Sequence, residues 1–161
     1  MAYAYNEPLV GYAYVRDCAA LVREAGLLNV LVTNGTIEKA PWRALLPLID
    51  AVNIDLKGFT EHWYRALGGD LETVKRSIVL AAQTCHVEVT TLIVPDENDS
   101  EDEMRALSAW LGSASSDIPL HVSRFFPRHR MTDRFPTPVE TVYRLAEVAR
   151  EQLRYVYTGN C

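Results

Sequence analysis

Apolar residues along this chain change period repeatedly, from short runs rich in Val, Ile and Leu to longer stripes spaced three and four apart. The runs predict strands at 2–5, 29–33, 51–56, 87–94, 120–125 and 154–157. Most are short and branched-aliphatic, as parallel strands covered on both faces are. The stripes predict helices at 9–25, 42–48, 61–67, 71–84, 101–111 and 139–153. Strand and helix alternate, which is the pattern of βα units: a parallel sheet with helices outside it.

Two of the helices carry start signals with a physical basis. Ser100-Glu101-Asp102-Glu103 and Thr137-Pro138-Val139-Glu140 read as capping boxes, in which the hydroxyl accepts from the third helical amide and the Glu returns to the cap amide. Pro138 sits at the first helical position of the second box, where its missing N–H costs nothing. Gly26 ends the first helix and Gly68-Gly69 marks a turn. No linker, low-complexity tract or repeat interrupts the pattern, so 1–161 reads as a single domain.

Composition narrows this further. The chain has 161 residues, 48% of them hydrophobic and 23% charged. That supports one domain with a core, yet falls short of the roughly 250 residues typical of a complete eight-fold barrel. The expected fold is therefore α/β, a partial barrel of about six mostly parallel strands with outer helices. A net charge of −5, with Lys and Arg scattered among Asp and Glu, offers no basic patch for a phosphate backbone and argues against nucleic acid. No apolar run approaches the roughly 20 residues of a membrane span, and no leader pattern opens the chain, so a cytoplasmic location is expected. Three cysteines without disulfide or zinc spacing suit a reducing compartment.

In βα barrels chemistry gathers at the C-terminal ends of strands. The unusual residues here fall at those ends: Asn6 and Glu7 after the first strand, Thr33-Asn34-Gly35 after the second, Asp55 and Lys57 closing the third. Pro95-Asp96 and Phe125-Phe126 follow the fourth and fifth. Asn53, Asp55 and Lys57 are each two apart and share one side of their strand, as Glu88 and Thr90 share one side of theirs. Inward-facing polar groups of this kind are costly unless paired or functional.

Taken in order, Ala4-Tyr5-Asn6-Glu7-Pro8, Val32-Thr33-Asn34-Gly35 and Ile54-Asp55-Leu56-Lys57 resemble the radical S-adenosylmethionine enzymes, close to the activating enzymes of glycyl-radical proteins such as pyruvate formate-lyase. Further segments, Glu88-Val89-Thr90-Thr91-Leu92, His121-Val122-Ser123-Arg124-Phe125-Phe126-Pro127, Met131-Thr132-Asp133 and Tyr155-Val156-Tyr157-Thr158-Gly159-Asn160, are similar to the radical enzyme of the AmmeMemoRadiSam group. The resemblance implies a radical S-adenosylmethionine barrel. Its parent reaction is reductive cleavage of S-adenosylmethionine by a 4Fe–4S cluster, giving a 5′-deoxyadenosyl radical that abstracts hydrogen from a protein or small-molecule substrate.

The resemblance also implies roles. Asn6 and Glu7 stand where relatives receive the methionine ammonium, and a carboxylate with turn carbonyls suits a three-donor cation. The residues themselves equally allow Asn6 or Glu7 to cap the helix running from Pro8. Thr33 and Asn34 match the next strand end, where Val32 replaces the family's acid; Asn34-Gly35 alone says only "turn". Asp55 and Lys57 would lie near the ribose and methionyl groups, with an internal ion pair as the alternative. Thr90, placed in the barrel interior with Glu88 by the strand period, is counted with the cofactor-binding residues; a buried, hydrogen-bonded Glu88 is the equal alternative. Phe126 replaces the histidine that relatives place before the proline, and a phenyl ring cannot donate to a carboxylate.

The family's CxxxCxxC cluster loop lies N-terminal to the first motif and has no counterpart here. Cys18, Cys85 and Cys161 cannot share a short loop, so no cluster is expected on this chain, and no residue is assigned a catalytic or metal-binding role. Cys18 continues the apolar stripe of Val15, Ala19 and Val22; His62, His86, His121 and His129 lack metal-ligand spacing; Trp42, Trp63 and Trp110 read as packing residues. The chain thus reads as the C-terminal part of a radical enzyme, expected to be inactive by itself, with a second copy or an N-terminal cluster-bearing segment as the expected partner. A non-catalytic binding module or half-barrel partner is the alternative. A Schiff-base lyase using Lys57 is the minor one.

Overall fold

Among the described residues there are six strands and six α-helices, in the order β1 (Ala2–Tyr3), α1 (Tyr12–Glu24), β2 (Val30–Thr33), α2 (Lys39–Leu45), β3 (Ala51–Asp55), α3 (Glu61–Ala66), α4 (Leu71–Ala82), β4 (His86–Ile93), α5 (Glu101–Ala114), β5 (Leu120–Arg124), α6 (Val139–Arg150) and β6 (Val156–Gly159). This computed structural model describes residues 1–129 and 131–161. The strands follow one another in chain order in one sheet, and the β1–β2, β2–β3, β4–β5 and β5–β6 pairs are parallel. The expected α/β class with six parallel strands is the observed one. The chain divides into two units, Met1–Asp55 with Glu72–Glu88, and Leu56–Leu71 with Val89–Cys161.

In the first unit Val32 stands opposite Asn53 and Thr33 opposite Ile54. Leu31, Thr33, Val52 and Ile54 are buried, whereas Val32 is exposed and Asn53 half-buried, so one side of the sheet carries the core. Val15 and Ala19 of α1, Trp42 and Leu45 of α2, and Val74 and Ile78 of α4 belong to that core. The Trp42 indole donates to Ser77 O at 3.0 Å, which removes its polar cost of burial. Asn29 is fully buried. Its amide donates to Ala19 O and Leu48 O and its Oδ1 accepts from the Tyr3 hydroxyl, which ties β1 to the helices that follow.

The predicted helix at 9–25 is two pieces, a 3-10 turn at Pro8–Gly11 and then α1. It ends as expected: Gly26 has φ +72°, its N–H donates to Arg23 O, and Leu27 N donates to Val22 O. This is a Schellman stop, which wants glycine. β1 is shorter than predicted because the backbone turns at Tyr5, φ +46°.

In the second unit β4 alternates cleanly, with Val89, Thr91 and Ile93 buried and Thr90 and Leu92 half-buried. Leu120 and Val122 of β5 join the same core, with Met104, Leu107 and Leu111 of α5 and Val142, Leu145 and Ala146 of α6. Both capping boxes need correction. Ser100 does accept from Glu103 N at 3.2 Å, but Glu103 Oε1 accepts from Phe59 N at 2.5 Å. At the second helix Pro138 is the cap residue and α6 starts after it. Thr137, fully buried, donates its hydroxyl to Ile93 O at 2.5 Å and accepts from Phe125 N. In both places a strand or loop group shut away from water takes the partner that a local cap would have used.

Candidate functional site

The first unit holds a carboxylate fixed by two successive strand ends. Glu7 follows β1 and caps the 3-10 turn, its Oε1 accepting from Leu9 N at 3.1 Å. The same oxygen accepts from the Thr33 hydroxyl at 2.7 Å, and Oε2 accepts from Asn34 N at 2.7 Å. Thr33 is buried and Glu7 half-buried, so these bonds lie partly out of solvent. Thr33 Oγ1 also accepts from Gly35 N, and Asn34 Oδ1 accepts from Thr36 N. Capping and orientation toward the β2 end are therefore one arrangement. Oε2 keeps accepting capacity after its single bond, because a carboxylate oxygen has about two acceptor sites.

Glu7, Thr33 and Asn34 are thus brought together. Asn6 is adjacent in sequence and exposed. Asp55, with Asn53, is half-buried and alternates with the buried Val52 and Ile54. Both polar residues therefore point away from the core side of β3.

Lys57 and Thr90 belong to the second unit. Lys57 is half-buried. Its N–H donates to the Tyr64 hydroxyl at 3.1 Å, and its carbonyl accepts from the Trp63 indole at 2.9 Å and from Asn98 Nδ2 at 2.8 Å. The Thr90 carbonyl accepts from Leu56 N at 2.8 Å. Thr90 lies opposite His121, which in turn lies opposite Tyr157; the His121 and Tyr157 rings stack at 5.5 Å.

Sequence reasoning missed Asn98. It is buried, accepts from Val94 N, and donates to Leu92 O and Lys57 O, locking the ends of two segments of the second unit. The signal available was an Asn three residues past Val94-Pro95, in a polar loop leading to the Ser100 cap. Arg134 was missed too. It donates to Pro95 O at 2.5 Å and pairs closely with Glu97.

The three thiols stand apart in character. Cys18 and Cys85 are half-buried and Cys161 is exposed. Burial pushes the Cys85 thiol up to about 11, with the nearby Asp50 charge adding to the rise. Among the described residues no three His, Cys, Asp or Glu side chains gather as a metal site. The donor set therefore does not fit an iron–sulfur cluster, which needs clustered thiolates.

Comparison with known proteins adds the following. No family model matches the chain. It is 40% identical over 163 residues to Uncharacterized protein MJ0808 of Methanocaldococcus jannaschii, covering 99% of this chain and 48% of that protein. To Uncharacterized protein MJ0804 of the same organism it is 28% identical over 121 residues, covering 73% of this chain and 42% of that one. The chain spans about half the length of the curated relatives it matches. Among solved structures, a domain of pyruvate-formate lyase-activating enzyme from Bacteroides vulgatus superposes with TM-score 0.83 at 13% identity, covering 99% of this chain and 98% of that one. What is shared is the fold. Streptococcus suis SuiB bound to S-adenosylmethionine has the same architecture, at TM-score 0.71 and 11% identity over 91% of this chain and 36% of that one. So does archaeal TYW1, at TM-score 0.65 and 15% identity over 94% of this chain and 49% of that one.

Proposed function

We propose that this chain is part of a radical S-adenosylmethionine enzyme of the pyruvate formate-lyase-activating type, in the AmmeMemoRadiSam group, and that its strand ends hold the cofactor's amino-acid and ribose portions. The observation that carries the reading is Glu7. Its carboxylate is held by the β2 end through Thr33 and Asn34, and Oε2 retains capacity to accept from an ammonium. Asn6 and Asp55 supply further polar groups in the same unit; Lys57 and Thr90 are assigned by the sequence motifs alone. The bound cofactor and cluster would supply the radical chemistry, and this chain's residues would bind and orient.

In this reading the cluster thiolates come from polypeptide outside these 161 residues. Support comes from the β1 flank. A groove of about 470 Å³ lies there, lined by Tyr3, Ala4, Val10, Tyr14, Val15 and Cys18, with Val10 89% and Tyr14 73% exposed. β1 pairs with β2 on one side, so its other edge offers backbone groups to a further strand.

The test is a calorimetric titration of S-adenosylmethionine into the chain and into Glu7→Ala and Asp55→Asn. Weak saturable binding that Glu7→Ala abolishes is expected, because the iron chelate is absent. Binding unchanged by both substitutions would refute the assignment. Borohydride trapping of a carbonyl compound on Lys57 would instead favour a lyase.

A further inference from the structure

We propose that the loop between β5 and α6 is a docking surface for a partner protein, and that it takes an extended segment in which carboxylates flank a large apolar side chain. Residues 126–136 leave a closed neck and return to it. Thr137 N donates to Phe125 O at 3.1 Å, and Phe125 N donates to the Thr137 hydroxyl oxygen at 3.3 Å. Further out, Met131 N donates to Arg128 O and His129 takes φ +54°, so the chain doubles back. A surface loop whose ends meet in this way is an Ω-loop, a form that frequently carries function.

The inner side of the loop is fastened. Met131 packs against the buried cluster of Trp63, Val94 and Phe125, and Arg134 donates to Pro95 O and pairs with Glu97. The outer side is unlike ordinary loop surface. Phe126 is 42% and Phe135 85% exposed, and both stand within two residues of the clasp between Phe125 and Thr137. Arg124, half-buried, joins them: its Nε donates to Thr137 O at 2.7 Å and its guanidinium lies 4.8 Å from the centre of the Phe126 ring. Aromatic rings and arginine are the residue types that anchor interfaces between proteins. Because the loop is already held, little ordering opposes binding.

Charge selects the occupant. Glu97 neutralises Arg134, and Asp133 is the one acid in the sequence of the loop. Arg128 is exposed and, like Arg124, has no carboxylate partner among the described residues. The Nη groups of Arg124 form a fork that suits a carboxylate. These cations stand on a chain of net charge −5, so an acidic segment that the rest of the surface repels is attracted here. A phosphate backbone needs a longer run of cations than this, and Asp96 and Asp133 are exposed nearby in the same unit. This inference does not rest on the cofactor assignment above.

The probe is the peptide acetyl-Glu-Glu-Phe-Glu-Glu-amide, titrated into the chain at low salt and followed by backbone amide chemical shifts. Saturable shifts confined to the loop and its neck, with Kd on the order of 1 mM, are expected. Replacing the phenylalanine of the peptide by glycine, or its glutamates by lysines, should weaken binding at least ~10-fold. Phe135→Ser and Arg128→Glu change exposed side chains and leave the neck intact; each should weaken binding several-fold, and Arg128→Lys should restore most of the loss. No saturable shifts, shifts centred outside the loop, or equal binding of the acidic and basic peptides would overturn the proposal. Tighter binding of oligothymidylate at the same residues would give the surface to nucleic acid and overturn it as well. Arg128 and Phe135 have no part in the cofactor assignment, so failure of S-adenosylmethionine to bind leaves the proposal standing.

Discussion

The Thr33 hydroxyl donates to Glu7 Oε1 at 2.7 Å, so the end of β2 fixes a carboxylate that belongs to the end of β1. Three donors converge on that carboxylate, from Leu9, Thr33 and Asn34. Hydrogen bonds to a charged group are the strong ones, and removing the acceptor leaves a buried Thr33 hydroxyl to find another partner. Glu7→Ala should therefore cost about 2–3 kcal/mol. Urea unfolding would show this as a lower midpoint at unchanged slope. A loss below about 0.5 kcal/mol would mean that the three bonds are no better than solvent.

How much of this was legible in the sequence depends on how local each interaction is. The alternation of Val89, Thr91 and Ile93 with Thr90 and Leu92 could be read directly, because side-chain direction in a strand has period two. The Gly26 stop and the Ser100 cap were legible for the same reason, being written within a few residues. Glu7 was legible as a cap or a ligand holder but not as the acceptor for Asn34, since 27 residues separate them. Glu103 and Thr137 were misread because each has a local partner in the capping pattern and a distant one, Phe59 or Ile93, that only the fold brings near. Asn98 joins three backbone groups that no spacing rule connects.

Gly35 and Gly68 separate two costs that are often merged. Both have positive φ, +71° and +73°. A Cβ on Gly35 would lie 2.8 Å from Ile54 Cγ2, whereas one on Gly68 meets nothing within 4 Å. Gly68→Ala should lose only the left-handed backbone preference, about 1 kcal/mol. Gly35→Ala should lose that and an overpacking cost, about 2–4 kcal/mol in all. Thermal melts of the two variants check it, and equal shifts would show that Ile54 moves aside freely.

Thiol reactivity should follow environment. Burial raises Cys85 to about 11, so at pH 8 roughly 0.1% of it is thiolate. Cys161 is exposed. Iodoacetamide at pH 8 should label Cys161 first and Cys85 last, and denaturant should erase the difference. Mass spectrometry of digested, time-sampled protein reads the order. Early labelling of Cys85 in the folded chain would show that it is not shielded as its position indicates.

Glu103 gives the pH prediction. Burial raises its pKa above the ordinary 4.5; the Phe59 amide bond opposes the rise and the Asp99 charge adds to it. The carboxyl therefore holds its proton more tightly folded than unfolded. Between the ordinary value and the raised one, the native state binds more protons, so stability falls as pH rises through that window and levels off above it. Glu103→Gln keeps an oxygen for Phe59 N and has no proton to lose. The stability of Glu103→Gln relative to the parent should therefore increase with pH across the window and stay constant beyond it. Glu103→Ala should be destabilised at every pH, because Phe59 N loses its acceptor. Urea midpoints measured from pH 4 to pH 8 decide the matter. A Glu103→Gln difference that is flat, or that shrinks as pH rises, would show that the half-buried carboxyl is ionised without penalty and that its bond to Phe59 outweighs its loss of water.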